Sequence, residues 1–82
     1  MLDHKLTIFY HAAKNLNTTK AAEILRISQP AVSKSIKELE REMGLTLFER
    51  EKGRLALSPA GKYLLEQSED LIERERAITF NL

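Results

Sequence analysis

The sequence contains no cysteine. That excludes disulfides, thiolate metal sites and a cysteine nucleophile together, and leaves the cytoplasm as the default compartment. Only three glycines occur, none in a run that could cradle a phosphate. No apolar stretch approaches the ~20 residues of a membrane span, and the N-terminus lacks the basic-then-apolar layout of a signal peptide. The chain is therefore expected to be soluble and intracellular, with no membrane partner. The two histidines, His4 and His11, lie two helical turns apart with no other ligand type clustered nearby. That spacing does not make a metal pair, and each is read as a surface or half-buried side chain. Serine, histidine and aspartate are present but in no nucleophile setting, so an enzyme is not expected and no cofactor is called for.

What is present fits one small domain of 82 residues, with 43% apolar and 30% charged residues. Net charge is only +1, but its distribution is uneven. Residues 1–58 carry ten Lys or Arg against seven Asp or Glu, whereas residues 59–82 carry three against five. A basic head and an acidic tail are two functional parts, and the basic excess belongs to the head.

The stretch from Ser28 to Met43 organises the head. Val32, Ile36, Leu39 and Met43 recur at steps of four, three and four, the buried face of a helix. Pro30, Lys34, Lys37 and Arg41 fall on the opposite face, flanked by Gln29 and Ser33. An apolar back, a basic front and hydrogen-bonding side chains at the N-terminal end suit a helix that reads the major groove. A solvated surface helix carries the same pattern, so the neighbouring segments must decide.

The first segment places Leu2, Leu6, Phe9, Ala13 and Leu16 on one stripe and leaves Asp3, Lys5 and Lys14 wet. Asn15 and Asn17 break it and offer a new cap. A second helix at about 18–26 turns Ala21, Ala22 and Leu25 inward, and its first turn holds Thr18, Thr19 and Lys20, where free N–H groups favour a phosphate. Arg26 and Ile27 make the turn, Ser28 caps the third helix and Pro30 is tolerated in its first turn. These two helices have the length and pattern of a helix-turn-helix. Gly44 ends the third helix. Two short apolar runs, through Leu45, Leu47 and Phe48 and through residues 55–57, then flank a polar tip as in a β-hairpin carrying Arg50, Lys52 and Arg54. A solvated hairpin would also be charged. Ser58 caps a last helix from Pro59 to about residue 79. Its stripe of Leu64, Leu65, Leu71, Ile72 and Ile78 is too long for so small a head to cover, and a second copy of the same helix is the economical partner. The chain stops at Phe80, Asn81 and Leu82 without a capping signal, as expected of a fragment of a longer protein.

Together, AAEILRISQPAVSKSIKELEREMGLTLFER and the following RLALSPAG resemble the N-terminal DNA-binding domain of a LysR-type transcriptional regulator, over residues 6 to about 72. The resemblance implies a mainly α fold: a winged helix-turn-helix with a three-helix core and a two-stranded β wing over residues 1–58, then a linker helix for dimerisation over 59–82. It implies cytoplasmic, nucleoid-associated binding of double-stranded operator DNA as a homodimer on an interrupted palindrome. The recognition helix (about 28–43) would lie in the major groove and the wing (about 49–57) by the flanking minor groove. A small-molecule effector would bind a C-terminal domain absent from this sequence. Gln29, Pro30, Ser33 and Lys34 match positions that approach bases or adjacent backbone, with Ala31 among them. Thr19, Ser28 and Ser58 match hydroxyls near phosphates, and Arg50 matches the arginine that starts the wing. Lys20, Lys37, Lys52 and Arg54 read as phosphate contacts. The chain departs from the family pattern at Thr18, where an apolar residue is common, and at Gly53, where the mid-wing cation has moved to Arg54. A winged helix that docks proteins without reading DNA is the competing reading, and apolar or aromatic anchors on the front of the third helix would mark it.

Overall fold

The computed structural model describes residues 4–81, with side chains to residue 78. Four helices and one hairpin follow in the order α1 (His4–Asn15), α2 (Thr18–Leu25), α3 (Gln29–Met43), β1 (Phe48–Glu51), β2 (Arg54–Leu57) and α4 (Pro59–Asn81). The architecture is the expected winged helix-turn-helix followed by a long helix.

Helix α1 sits at the centre, against α2, α3 and α4. It therefore buries two adjoining faces rather than one stripe. Ile8 and Ala12 join Ala21, Ala22, Val32 and Ile36 in one cluster, while Phe9 and Ala13 join Leu39 and Leu47 in another. The expected stripe is corrected accordingly. Phe9 and Ala13 are buried and Leu6 half-buried, but Leu16 lies beyond the helix end, exposed, at φ +48°. Leu2 and Asp3 lie outside the described residues, as does Leu82 at the other end. Lys5 is not simply wet: it pairs with Glu42 and, at 3.7 Å, with Glu38 on α3.

Local capping sets the helix-turn-helix. The Asn17 side chain accepts from the Lys20 N–H at 3.0 Å to start α2, and Arg26 ends it in the left-handed region at φ +58°. The Ser28 hydroxyl accepts from the Ala31 N–H at 3.2 Å to start α3. Gly44, at φ +67°, closes α3 with its N–H on the Glu40 carbonyl. Val32, Ile36 and Leu39 face the core as expected, whereas Met43 lies past the last core contact and is 42% exposed.

The hairpin is shorter than the apolar runs imply. Leu45 is exposed and Leu47 is buried ahead of the strand, which begins at Phe48. Glu40 of α3 accounts for this: one carboxylate oxygen accepts from the Leu47 N–H at 2.7 Å and the Phe48 N–H at 3.3 Å, clamping the strand's start to α3. The strands pair antiparallel with Phe48 opposite Leu57 and Glu51 opposite Arg54. Lys52 and Gly53 form the two-residue tip, both at positive φ, the twist that hairpins favour.

Helix α4 is part of the head before it leaves it. Leu64 and Leu65 pack, partly buried, on the cluster around Phe9 and Leu47. The head thus shares the apolar stripe expected to pair, and leaves part of both side chains uncovered. Further along, Ser68 is fully buried with its hydroxyl on the Leu64 carbonyl at 2.7 Å, and Lys14 pairs with Glu69 at 3.6 Å. Desolvation and the nearby Arg76 guanidinium hold the His11 imidazole below the ordinary histidine range. The folded state thus resists protonation there, and this site loses stability as pH falls below the unfolded histidine's value. Beyond it, Leu71 and Ile78 are 44% and 64% exposed, with Ile72 half-buried. Among the described residues no helix is long and apolar enough to cross a membrane.

Candidate nucleic-acid interface

Three elements converge on one side of the head: the first turn of α2, the N-terminal half of α3, and the hairpin. A side-chain bond ties the first two. The Gln29 amide nitrogen donates to the Thr18 hydroxyl at 3.0 Å and to the Ser33 hydroxyl at 2.9 Å. The α2 start, with exposed Thr19 and Lys20, is thereby held beside the α3 start, with exposed Ser28, Gln29, Pro30 and Ala31. One turn on, Lys34 and Lys37 are exposed and Ser33 is half-buried.

The hairpin forms the other wall. A groove between it and α3 is lined by Thr18, Ser33, Lys37, Phe48, Arg50 and Leu55, together with Glu40 and Glu49. Alternation along β1 puts Arg50 on the face shared with Phe48 and sends Glu51 to the other. The Arg50 guanidinium donates to the Gly53 carbonyl at 3.3 Å, which fixes the side chain along the wing. Arg54 reaches the same side, since Arg50 and Arg54 line one depression with Asn17 and Thr18. Lys52 stands exposed at the tip.

Charge is sorted around α3. Glu38 and Glu42 are drawn to the α1 side by Lys5, and Glu40 turns into the wing junction. Among the described residues, the ion pairs involve Lys5 and Lys14 and none of Lys20, Lys34, Lys37, Arg50, Lys52 or Arg54. The outer face thus offers cations free of carboxylate partners, with neutral hydrogen-bonding groups at one end. That combination can hold a polyanion and still discriminate what lies along it.

Ser58 is the exception among the expected contact residues. It is only 4% exposed, its hydroxyl accepts from the Gly61 N–H at 2.9 Å and donates to the Thr46 carbonyl at 2.5 Å. A buried, saturated hydroxyl caps α4 and has nothing left for a phosphate. Three residues of structural weight escape sequence reasoning as site residues. Thr18 reads as part of a phosphate-favouring turn and as a departure from the family pattern, but nothing local predicts its hydrogen bond with Gln29. Nothing local in the sequence marks Glu40 as the acceptor of two backbone N–H groups. Gly61 follows a Ser-Pro cap, and its tight seat against Leu47 is set by tertiary packing.

Comparison with known proteins agrees with this geometry. The family model for bacterial regulatory helix-turn-helix proteins of the lysR family matches residues 4–62. An uncharacterised helix-turn-helix-type transcriptional regulator of Bacillus subtilis, YcgK, is 50% identical over 60 residues, covering 73% of this chain and 18% of YcgK. The chain spans about a fifth of the length of such curated relatives. A LysR-family transcriptional regulator from Eggerthella lenta superposes with a TM-score of 0.76 at 42% identity, over 82% of this chain and 96% of that one. The BenM DNA-binding domain, solved in complex with catB site 1 DNA, superposes with a TM-score of 0.86 at 28% identity, over 99% of this chain and 92% of that one. A winged helix-turn-helix whose sequence matches this family model over most of its length identifies its kind: the chain belongs to the lysR family of bacterial regulatory helix-turn-helix proteins.

Proposed function

We propose that this chain is the operator-reading head of a transcriptional regulator, binding duplex DNA with α3 in the major groove and the wing against the flanking backbone or minor groove. One observation carries the reading: unpaired cations and neutral hydrogen-bonding side chains share the outer face of α3, while its glutamates are held elsewhere. The BenM DNA-binding domain, similar over nearly the whole chain, was solved in complex with DNA, which supports DNA as the ligand of this face. Gln29, Ser33 and Lys34 read bases, with Pro30 and Ala31 shaping the close approach. Thr19, Lys20, Ser28, Lys37, Arg50, Lys52 and Arg54 hold phosphates. A protein-docking surface would need aromatic or apolar anchors on that face, and the outer face of α3 presents Lys34, Lys37 and Arg41 instead.

Pairing of two copies completes the proposal. Leu64 and Leu65 are partly covered by the head, so the outer half of α4 supplies most of the pairing face. Leu71 and Ile78, seven residues apart and both exposed, lie on one side of the helix. Two heads joined there read two half-sites about one helical turn, or a multiple of it, apart. An effector would act through another domain.

Selection of bound duplexes from a random library tests both parts at once. The expected product is an interrupted two-fold motif. A single unpaired half-site would contradict pairing through α4, and no enriched motif at all would contradict base reading.

A further inference from the structure

One carboxylate joins the hairpin to α3 by hydrogen bonds. Oε2 of Glu40 accepts from the Leu47 N–H at 2.7 Å and from the Phe48 N–H at 3.3 Å, just before β1 and at its first residue. Both partners are backbone donors, so only an acceptor atom can satisfy them there. Glu40 is half-buried in the groove that Lys37 and Arg50 also line. Among the described residues it is the α3 side chain that hydrogen-bonds to the hairpin. The same Leu47–Phe48 peptide is held on its other side, where the Ser58 N–H donates to the Leu47 carbonyl at 3.0 Å. The wing is thus hinged at its base and braced there against α3. Lys52 at the tip stands about 13 Å further on at ~3.3 Å per residue, so a tilt of about 10° at the base moves it by about 2 Å. A shift of that size breaks a contact made at hydrogen-bond distance.

We propose that Glu40 is a positioning residue for DNA binding, which fixes the tilt of the wing on α3 so that Lys52 and Arg54 meet phosphates while the start of α3 is seated on bases. The proposal rests on the reading of the wing as a DNA contact. Glu40 itself gains nothing from the duplex, because a carboxylate beside phosphates is repelled. Its contribution to affinity therefore passes through the wing cations alone, and not through Lys20 on α2, whose helix takes no part in the clamp. That gives the role a signature which a loss of stability does not share.

The test compares Glu40→Gln, which keeps an acceptor oxygen at the same reach, with Glu40→Ala, which removes it. Both variants are neutral, so the comparison cancels the lost charge. Each is titrated against a selected duplex at one salt concentration, well below its melting midpoint. Glu40→Ala should bind about three- to ten-fold more weakly than Glu40→Gln, the range set by one neutral hydrogen bond. The difference should vanish when Lys52→Ala and Arg54→Ala are both present, and should persist in full with Lys20→Ala. Should Glu40→Ala fail to fold by circular dichroism, Glu40→Asp replaces it. That variant keeps the charge, draws it back by one methylene, and is compared with the unaltered chain under the same expectations. Equal binding by the paired variants would overturn the positioning role, as would a difference that survives without the wing cations. If Lys52→Ala with Arg54→Ala leaves the affinity of the unaltered chain as it was, the wing does not touch DNA; the proposal then falls with that contact, while base reading by α3 stands.

Discussion

Gly61→Ala should cost the domain at least about 2 kcal/mol, enough to lower its melting temperature by roughly 10 °C or more. The expectation runs against helix propensity, since Gly61 lies in the first turns of α4 and alanine is favoured there by about 1 kcal/mol. Packing decides the sign. A Cβ on Gly61 would stand 2.2 Å from the Leu47 carbonyl oxygen, 3.1 Å from its carbon and 3.0 Å from a Leu57 methyl. The methyl could turn aside, but the carbonyl is backbone and is held on both sides. Its oxygen accepts from the Ser58 N–H at 3.0 Å, and the Leu47 N–H is bound to Glu40 at 2.7 Å. Relief therefore means moving α4 away from the segment that carries the wing, opening the cluster around Phe9, Leu39 and Leu47. Inserting an atom into such a site typically costs 1–3 kcal/mol, and more where backbone must shift. A domain of this size has only about 4–12 kcal/mol in total. Thermal unfolding followed by circular dichroism checks it; an unchanged or raised midpoint would show that the α4 junction is looser than described.

The second large effect is on binding. Raising salt from 50 to 200 mM should weaken the complex of two copies with duplex DNA by on the order of 10⁴-fold. The magnitude follows from the cations on the reading face. Lys20, Lys37, Lys52 and Arg54 are exposed with no ion pair among the described residues, whereas Arg50 is partly spent on the Gly53 carbonyl and is left out of the count. With about four phosphates neutralised per copy and about eight per pair, affinity falls with a logarithmic slope near −7. Each copy's Lys37→Ala should make that slope shallower by about one. Fluorescence anisotropy titrations over a salt series measure it. A nearly flat dependence would mean that these side chains do not meet phosphates.

The readable parts of this protein were those fixed by neighbours in sequence. Asn17, Ser28 and Gly44 announce helix ends because caps are local chemistry, and each does so in the structure. The polar Lys52–Gly53 tip announces the hairpin for the same reason. The misplaced residues depend on what lies beside an element in space. One apolar stripe could not describe α1, because α1 has neighbours on two sides and needs Ile8 and Ala12 as well as Phe9 and Ala13. Leu64 and Leu65 belong to the stripe expected to pair, yet the head reaches far enough along α4 to cover part of them. Ser58 matches a surface hydroxyl pattern but is folded inward by the turn it caps. The site follows the same division. Its cations and the α3 face were legible from residue type and period, while the Thr18–Gln29–Ser33 bonds and the Glu40 clamp join residues on different elements.

Within α3 the proposed division of labour gives base choice to the N-terminal end and contact with the DNA backbone to the later cations. Competition binding by Gln29→Ala and Lys37→Ala, across a panel of singly altered versions of a selected site, measures that division directly. Gln29→Ala should flatten the preference at one or two positions, each worth about 1–3 kcal/mol, and leave the others as they were. Lys37→Ala should weaken every duplex by a similar factor. A uniform loss for Gln29→Ala, with the base preferences intact, would contradict the account.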